Sequence, residues 1–272
     1  MRALTAALLL GAWGSGAAVS PGHQAYEKAN GLFVAQRFQE AFTAVEEALQ
    51  LDPKLVPALT LKAKMAMAVN RFDVARQSLE QALAVDPHAE YAQFLYGMEA
   101  FLTNEMQQAL PRFRKARELN PSDPRAALYL GLTCEGLGQT DEALALYREA
   151  VHLEQTAGKL QAETLLPGAR LLLLLGRVDE SAIWIRQALP LAPNSRDVHF
   201  EFARLLLKRG KPGQAAAEGE TALRLANGTA TDAQIHYLLI RAWQQEGNPD
   251  LAERHAQSLR ALETAKPASA NR

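Results

Sequence analysis

A single cysteine, Cys134, stands in the whole chain, which excludes an intramolecular disulfide and any metal site built on several thiolates. Aromatic residues are scarce at 7 %, and the net charge is only -1, from 29 basic and 30 acidic residues. So even a balance argues against nucleic acid or an anionic membrane surface as partner, because either needs a broad basic field. No GxxxxGK[ST], GxSxG or HExxH sequence occurs, and no cysteine and histidine fall at a known metal-binding or catalytic spacing. Those gaps remove the common phosphate-cradling, acyl-transfer and zinc-protease chemistries, and no cofactor is expected. A metal-dependent or other enzyme is the weaker alternative.

Long hydrophobic runs are missing too, with one short exception. Residues 1–20 hold Arg2, an apolar run from Ala3 to Trp13, and small residues from Gly16 to Ala18 ahead of Val19 and Ser20. That run is shorter than the ~20 residues a membrane-crossing helix needs. The pattern reads as a secretory signal peptide cleaved after Ala18 or Ser20, and so predicts an exported, periplasmic or secreted product without stable membrane insertion. The alternative is an apolar helix lying on the segment that follows.

What the chain does contain is a period. Ala41, Ala75, Ala109 and Ala143 recur every 34 residues, and each is followed seven residues later by another alanine, Ala48, Ala82, Ala116 and Ala150. A repeat of this length is a helix-turn-helix unit that buries its apolar face by stacking on copies of itself. Aligning copies on the small residue predicts seven units, at 22–55, 56–89, 90–123, 124–157, 162–195, 196–229 and 233–266, with a disordered tail at 267–272. Ser181 takes the alanine's place in the fifth unit after an insertion near Gln155 to Gly158, and Ala252 follows an insertion near Asn227 to Asp232.

Small residues are needed where two helix axes approach to about 8–10 Å. The facing helix carries the matching column, Ala29, Ala63, Gly97, Gly131, Ala169 and Ala203, and breaks it with Ile240. The turn residue five places before the second-helix column is Asn70, Asn104, Gly138, Gly176, Gly210 or Gly247, all suited to a left-handed helix end, whereas Gln36 departs from the pattern. Asp123 before Pro124 and Asn248 before Pro249 read as polar caps with proline at the first helical position. Pro111 and Pro167 fall inside predicted helices and are expected to kink or delay them, so the junction around Gln155 to Pro167 is the expected bend.

The chain resembles the tetratricopeptide repeat family, most closely in Tyr96, Gly97, Ala109, Phe113, Ala116 and Pro121, and in Leu130, Gly131, Ala143, Tyr147 and Ala150. The resemblance implies an all-α, right-handed superhelical solenoid of seven helix-turn-helix repeats that binds a protein or peptide in a groove lined by first helices. It also implies a non-catalytic scaffold in envelope complex assembly, with an accessory subunit of a secretion or pilus system as the alternative. In the family's chaperone-tail clamp a lysine works with an asparagine in the first unit. Here Asn30 is present but Tyr26 stands where the lysine would be, which argues against a cytosolic chaperone tail.

The groove column, eleven residues before the small residue, reads Asn30, Lys64, Met98, Leu132, Arg170, Arg204 and Arg241. Its basic end predicts a site for an acidic peptide or C-terminus on Arg170, Arg204 and Arg241, unless acids such as Glu163 or Glu201 neutralise the ladder. Its apolar part predicts a partner surface from Tyr91, Phe94, Met98 and Phe101 continued by Leu128 and Leu132, with burial in the core as the competing outcome. His199 and His236 share one column, the usual aromatic packing position, and packing is favoured over metal binding there. The sequence leaves homo-oligomerisation open.

Overall fold

A computed structural model of the protein describes residues 19–265, so the segment read as a signal peptide lies outside them but for Val19 and Ser20, and the tail at 267–272 lies wholly outside. Those residues form fourteen α-helices and no strand: α1 Pro21–Val34, α2 Phe38–Leu51, α3 Val56–Ala68, α4 Phe72–Val85, α5 Glu90–Leu102, α6 Met106–Leu119 and α7 Pro124–Gly136. They continue with α8 Thr140–Thr156, α9 Ala162–Leu174, α10 Val178–Leu191, α11 Arg196–Lys208, α12 Pro212–Arg224, α13 Asp232–Glu246 and α14 Pro249–Ala265. The chain falls into two compact units that divide inside α5, between Glu99 and Ala100.

In the first unit α1 packs on α2 and α3 on α4, around a core of Ala25, Ala29, Ala41, Ala44, Val45, Ala48, Ala58, Leu61 and Met65. Alanine dominates because the paired helices meet too closely for larger side chains. Polar contacts tie α4 to the first part of α5: the Arg76 guanidinium meets the buried Glu99 carboxylate at 3.0 Å, and Tyr96 Oη donates to Glu80 at 3.0 Å.

In the second unit α7 packs on α8, α9 on α10, α11 on α12 and α13 on α14. The small-residue column is fully buried here too, and where serine replaces alanine its hydroxyl is accommodated, Ser181 Oγ donating to the Ala169 carbonyl at 2.8 Å. That bond joins the two small columns of one helix pair, so the polar substitution leaves no unsatisfied group in the core. Gly131 meets the ring of Tyr147, and a Cβ there would lie 2.8 Å from Tyr147 Cε1.

All seven turn residues, Gln36 included, take the left-handed conformation, with φ from 57° to 80°. The turn geometry therefore repeats even where glycine and asparagine do not. Asp123 caps α7 by accepting from Arg125 N at 2.9 Å, and Asn248 caps α14 by accepting from Leu251 N at 3.2 Å. The residues inserted after Leu153 add a turn to α8, which reaches Thr156 and ends on left-handed Gly158. The connection onward to α9 is held by Glu154, whose carboxylate accepts from Gln161 N at 3.0 Å and from Thr164 Oγ1 at 2.8 Å.

Pro111 and Pro167 do not stop or delay their helices: α6 begins at Met106 and α9 at Ala162, and each runs on through its proline. Both prolines are the sixth residue of their helix, so each removes one intrahelical hydrogen bond while packing on neighbouring helices retains the rest. The junction expected to bend lies wholly within the second compact unit. Cys134 is buried, and burial, with the charge of Glu142 second, pushes its thiol up to about 11.

Candidate protein-binding face

The first helices of the last three pairs, α9, α11 and α13, carry Arg170, Arg204 and Arg241 at equivalent positions. The place of the last of them relative to α11 is held by the connection between α12 and α13, the second insertion. Asp197 on α11 accepts from Thr229 N at 2.9 Å and Ala230 N at 2.7 Å, and Arg196 bonds both the Leu225 carbonyl, at 3.1 Å, and Asp232. Thr231 and Gln234 then close a reciprocal capping box at the start of α13. An insertion that interrupts the period thus becomes a buttressed corner that positions the Arg241 helix.

A groove of about 620 Å³ opens on this face, lined on its apolar side by Leu173, Phe200, Leu207 and Tyr237 and carrying Arg204 and Arg241. A second, of about 310 Å³, is lined by Glu163, Pro167, Arg170, Asp197, Glu201 and Arg204. Arg204 borders both. Leu174 and Tyr237 are exposed beside the larger groove, so apolar surface and cations share one stretch of surface.

The three arginines differ in electrostatic state. Arg170 lies 3.8 Å from Glu135 of α7, and Glu135 also accepts from the buried Tyr147 hydroxyl at 2.5 Å. Arg204 donates from Nη1 to both oxygens of Glu201, at 2.9 and 2.8 Å, and its guanidinium stands 5.9 Å over the Phe200 ring. Burial raises the Glu201 carboxyl above the ordinary carboxylate range, a shift that Arg204 partly opposes. Arg241 is exposed and makes no ion pair among the described residues. Of the acids expected to neutralise the ladder Glu201 does so, Glu163 does not, and Glu135 takes a place the sequence did not reveal.

The apolar residues are placed differently. In the first unit Phe94 is buried at 6 % exposure and stacks on Tyr91, with centroids 6.4 Å apart, while Tyr91 and Met98 are half-buried. In the second, Phe101 packs edge-on against Tyr129 at 5.8 Å, and Leu128 and Leu132 are half-buried. Phe94 therefore belongs to packing and not to an exposed partner surface, because a helix apolar on nearly every side spends much of that surface on its neighbours. Phe200 and Tyr237, which the sequence reading passed over, lie four residues before Arg204 and Arg241 and so on the same helical face. That column, fifteen residues before the small residue, already holds Tyr26, Phe94 and Leu128.

The histidines do not come together as one cluster. His199 Nδ1 lies 2.6 Å from Glu218, while His236 Nδ1 meets His255 Nδ1 at 3.0 Å and His255 Nε2 meets Glu220 at 2.9 Å. Among the described residues no group of three or more metal-ligating side chains occurs.

Comparison with known proteins follows the same lines. No curated protein matches the chain by sequence. It is similar in structure to a chain of the APC/C hetero-tetramer Cut9–Hcn1, with TM-score 0.62 and 17 % identity over 90 % of its length, and it spans about half of that chain, 47 %. It is also similar to a tetratricopeptide repeat protein from Parabacteroides merdae, with TM-score 0.58 and 16 % identity covering 81 % of this chain and 84 % of that one. A thermophilic TPR protein of Thermus thermophilus aligns with TM-score 0.54 and 24 % identity, covering 68 % and 99 % of the two chains. At these identities the likenesses concern the fold. Models of the tetratricopeptide repeat match residues 32–95, 99–158 and 233–258, where the alanine columns and left-handed turns recur. On that agreement of period, packing and family match, the chain belongs to the tetratricopeptide repeat family.

Proposed function

We propose that the chain is a non-catalytic scaffold whose α9, α11 and α13 face captures an acidic, partly apolar segment of a partner protein. The fold itself implies a protein-interaction scaffold. The observation that carries the finer reading is Arg241, an exposed cation that makes no ion pair among the described residues, set beside Arg204 on a groove lined mainly by leucine, phenylalanine and tyrosine, with Glu263 also in its lining. A guanidinium presents a planar fork that matches a carboxylate, and each charge-assisted bond contributes about 1.5–3 kcal/mol when desolvated. Apolar groups of the same segment would cover Leu174 and Tyr237. Work in a cell-envelope assembly is part of the proposal and is supported by the signal-like composition of residues 1–20.

The test is fluorescence anisotropy with a labelled synthetic peptide of alternating leucine and glutamate, against a control with lysine in place of glutamate. The wild type is expected to bind the acidic peptide and not the control, and Arg241→Glu to weaken binding at least about tenfold, equivalent to about 1.4 kcal/mol. Binding should weaken as salt rises, since exposed charges are screened within about 8 Å at physiological ionic strength. Equal affinity of the wild type and Arg241→Glu would overturn the assignment of this face.

A further inference from the structure

Among the acids lining the proposed face, Glu163, Asp197 and Glu201 in the smaller groove and Glu263 in the larger, Glu201 is the one that forms an ion pair with Arg204 among the described residues. Its side chain is 9 % exposed, against 28 % for that of Arg204, so the acid lies beneath the cation that meets solvent. Both its oxygens are taken by Nη1 of Arg204, whereas Nε and Nη2 of that guanidinium have no protein partner among the described residues. Arg204 can therefore receive a second carboxylate on its remaining edge while Glu201 holds the first. Two carboxylates on one guanidinium are like charges a few ångströms apart, and the buried one has the least solvent to screen it.

Resting on the arginine face as a binding site, we infer that Glu201 is a resident competitor there: docking of a ligand carboxylate on Arg204 proceeds with uptake of one proton by Glu201. The proton comes from solvent and converts the Glu201 carboxylate to the neutral acid, while Arg204 stays cationic and its charge passes to the ligand. No other group needs to change protonation.

The surroundings favour this site for the proton. Burial already lifts the Glu201 carboxyl above the usual carboxylate range, Arg204 and then Arg170 of α9 oppose that rise, and Asp197 of α11 adds to it. Glu163 of α9 lines the same cavity with Gln234 of α13, and the adjoining groove sets Lys208 of α11, Tyr237 and Arg241 of α13 and Glu263 of α14 around Arg204. Asp197 is committed to the Thr229 and Ala230 amides, and on the far side of α11 Glu218 is committed to His199. On α10, Asp179 is committed to Arg209 and Glu180 to Arg177. Acidic ligands thus bind more tightly as pH falls, until their own carboxylates protonate.

Calorimetric titration of the full chain with the leucine–glutamate peptide near pH 6, in two buffers of different ionisation enthalpy, reads the protons directly and requires no variant. Net proton uptake is expected for the wild type. Glu201→Gln, a neutral side chain of the same shape, should take up none and bind about tenfold tighter. Wild-type binding without proton uptake, or identical uptake and affinity in Glu201→Gln, would overturn the role of Glu201 while leaving the arginine face intact. Failure of both proteins to bind would overturn the face and Glu201 together.

Discussion

Gly131→Ala is expected to destabilise the protein, although alanine is the better helix former. Gly131 lies in α7 against α8, and the added Cβ would sit 2.8 Å from Cε1 and 2.9 Å from Cδ1 of Tyr147, with the Ala143 carbonyl 3.3 Å away. Tyr147 is fully buried, and its hydroxyl is bound to Glu135 at 2.5 Å, so the ring has no free direction in which to retreat. Overpacking of this kind costs about 1–3 kcal/mol, from which the gain of roughly 0.8–1 kcal/mol in helix propensity is subtracted. The upper part of the range applies because the clash is with a ring fixed at both ends, leaving a net loss of about 1–2 kcal/mol. The control is Gly31→Ala in α1, where nothing lies within 4 Å of the added carbon, so only the propensity term acts and the variant should be stabilised. The pair, measured by thermal unfolding followed by circular dichroism, should move in opposite directions, each kcal/mol shifting the midpoint by about 2–4 °C. If Gly131→Ala is as stable as Gly31→Ala, the close approach of α7 to Tyr147 is wrong. Displacing Tyr147 would also disturb Glu135 and through it Arg170, so the steric test bears on the proposed face.

Acid should loosen the last helix pairs. Burial, and next the neighbouring His255, lower the His236 pKa below the ordinary imidazole value, so near that value the unfolded chain binds more protons than the folded one. Stability contributed by neutral His236 is therefore whole above about pH 6.5 and falls as pH drops from there through the folded pKa. Unfolding midpoints at stepped pH should show this slope, and His236→Gln should flatten it; an unchanged slope would refute the assignment. Cys134, buried and with its thiol at about 11, should resist thiol reagents at pH 8 in the native protein and react on unfolding, whereas rapid native modification would show that α7 and α8 open readily.

Much of the fold was legible because its determinants are local or recur at fixed spacing. Asn70, Asn104 and the glycines announce left-handed turns through their own backbone preferences, and the buried alanines announce close helix contacts through their size. Gln36 was not legible in this way. It adopts φ of 60° because the packed pair demands that turn, at a strain its side chain alone would not have chosen. Pro111 and Pro167 were expected to kink or delay their helices; the start of each helix is not delayed, because each is long enough and packed enough to carry the local penalty. Phe94 misled because hydrophobicity on a face does not say whether that face meets solvent or another helix.

The sequence alone determined that two helices and a left-handed turn recur, that small residues sit at the contacts, and that three arginines occupy equivalent places in the last units. It could not determine which arginines keep their charge available. Arg170 meets Glu135 from the preceding pair of helices, Arg204 meets Glu201 one turn away, and Arg241 makes no ion pair among the described residues, differences that repeat spacing does not encode. Those outcomes depend on how a lengthened α8 and the Asp197-anchored corner before α13 place successive helices side by side. A charge pair forms or fails over a few ångströms, a distance that the tertiary packing of the inserted segments sets.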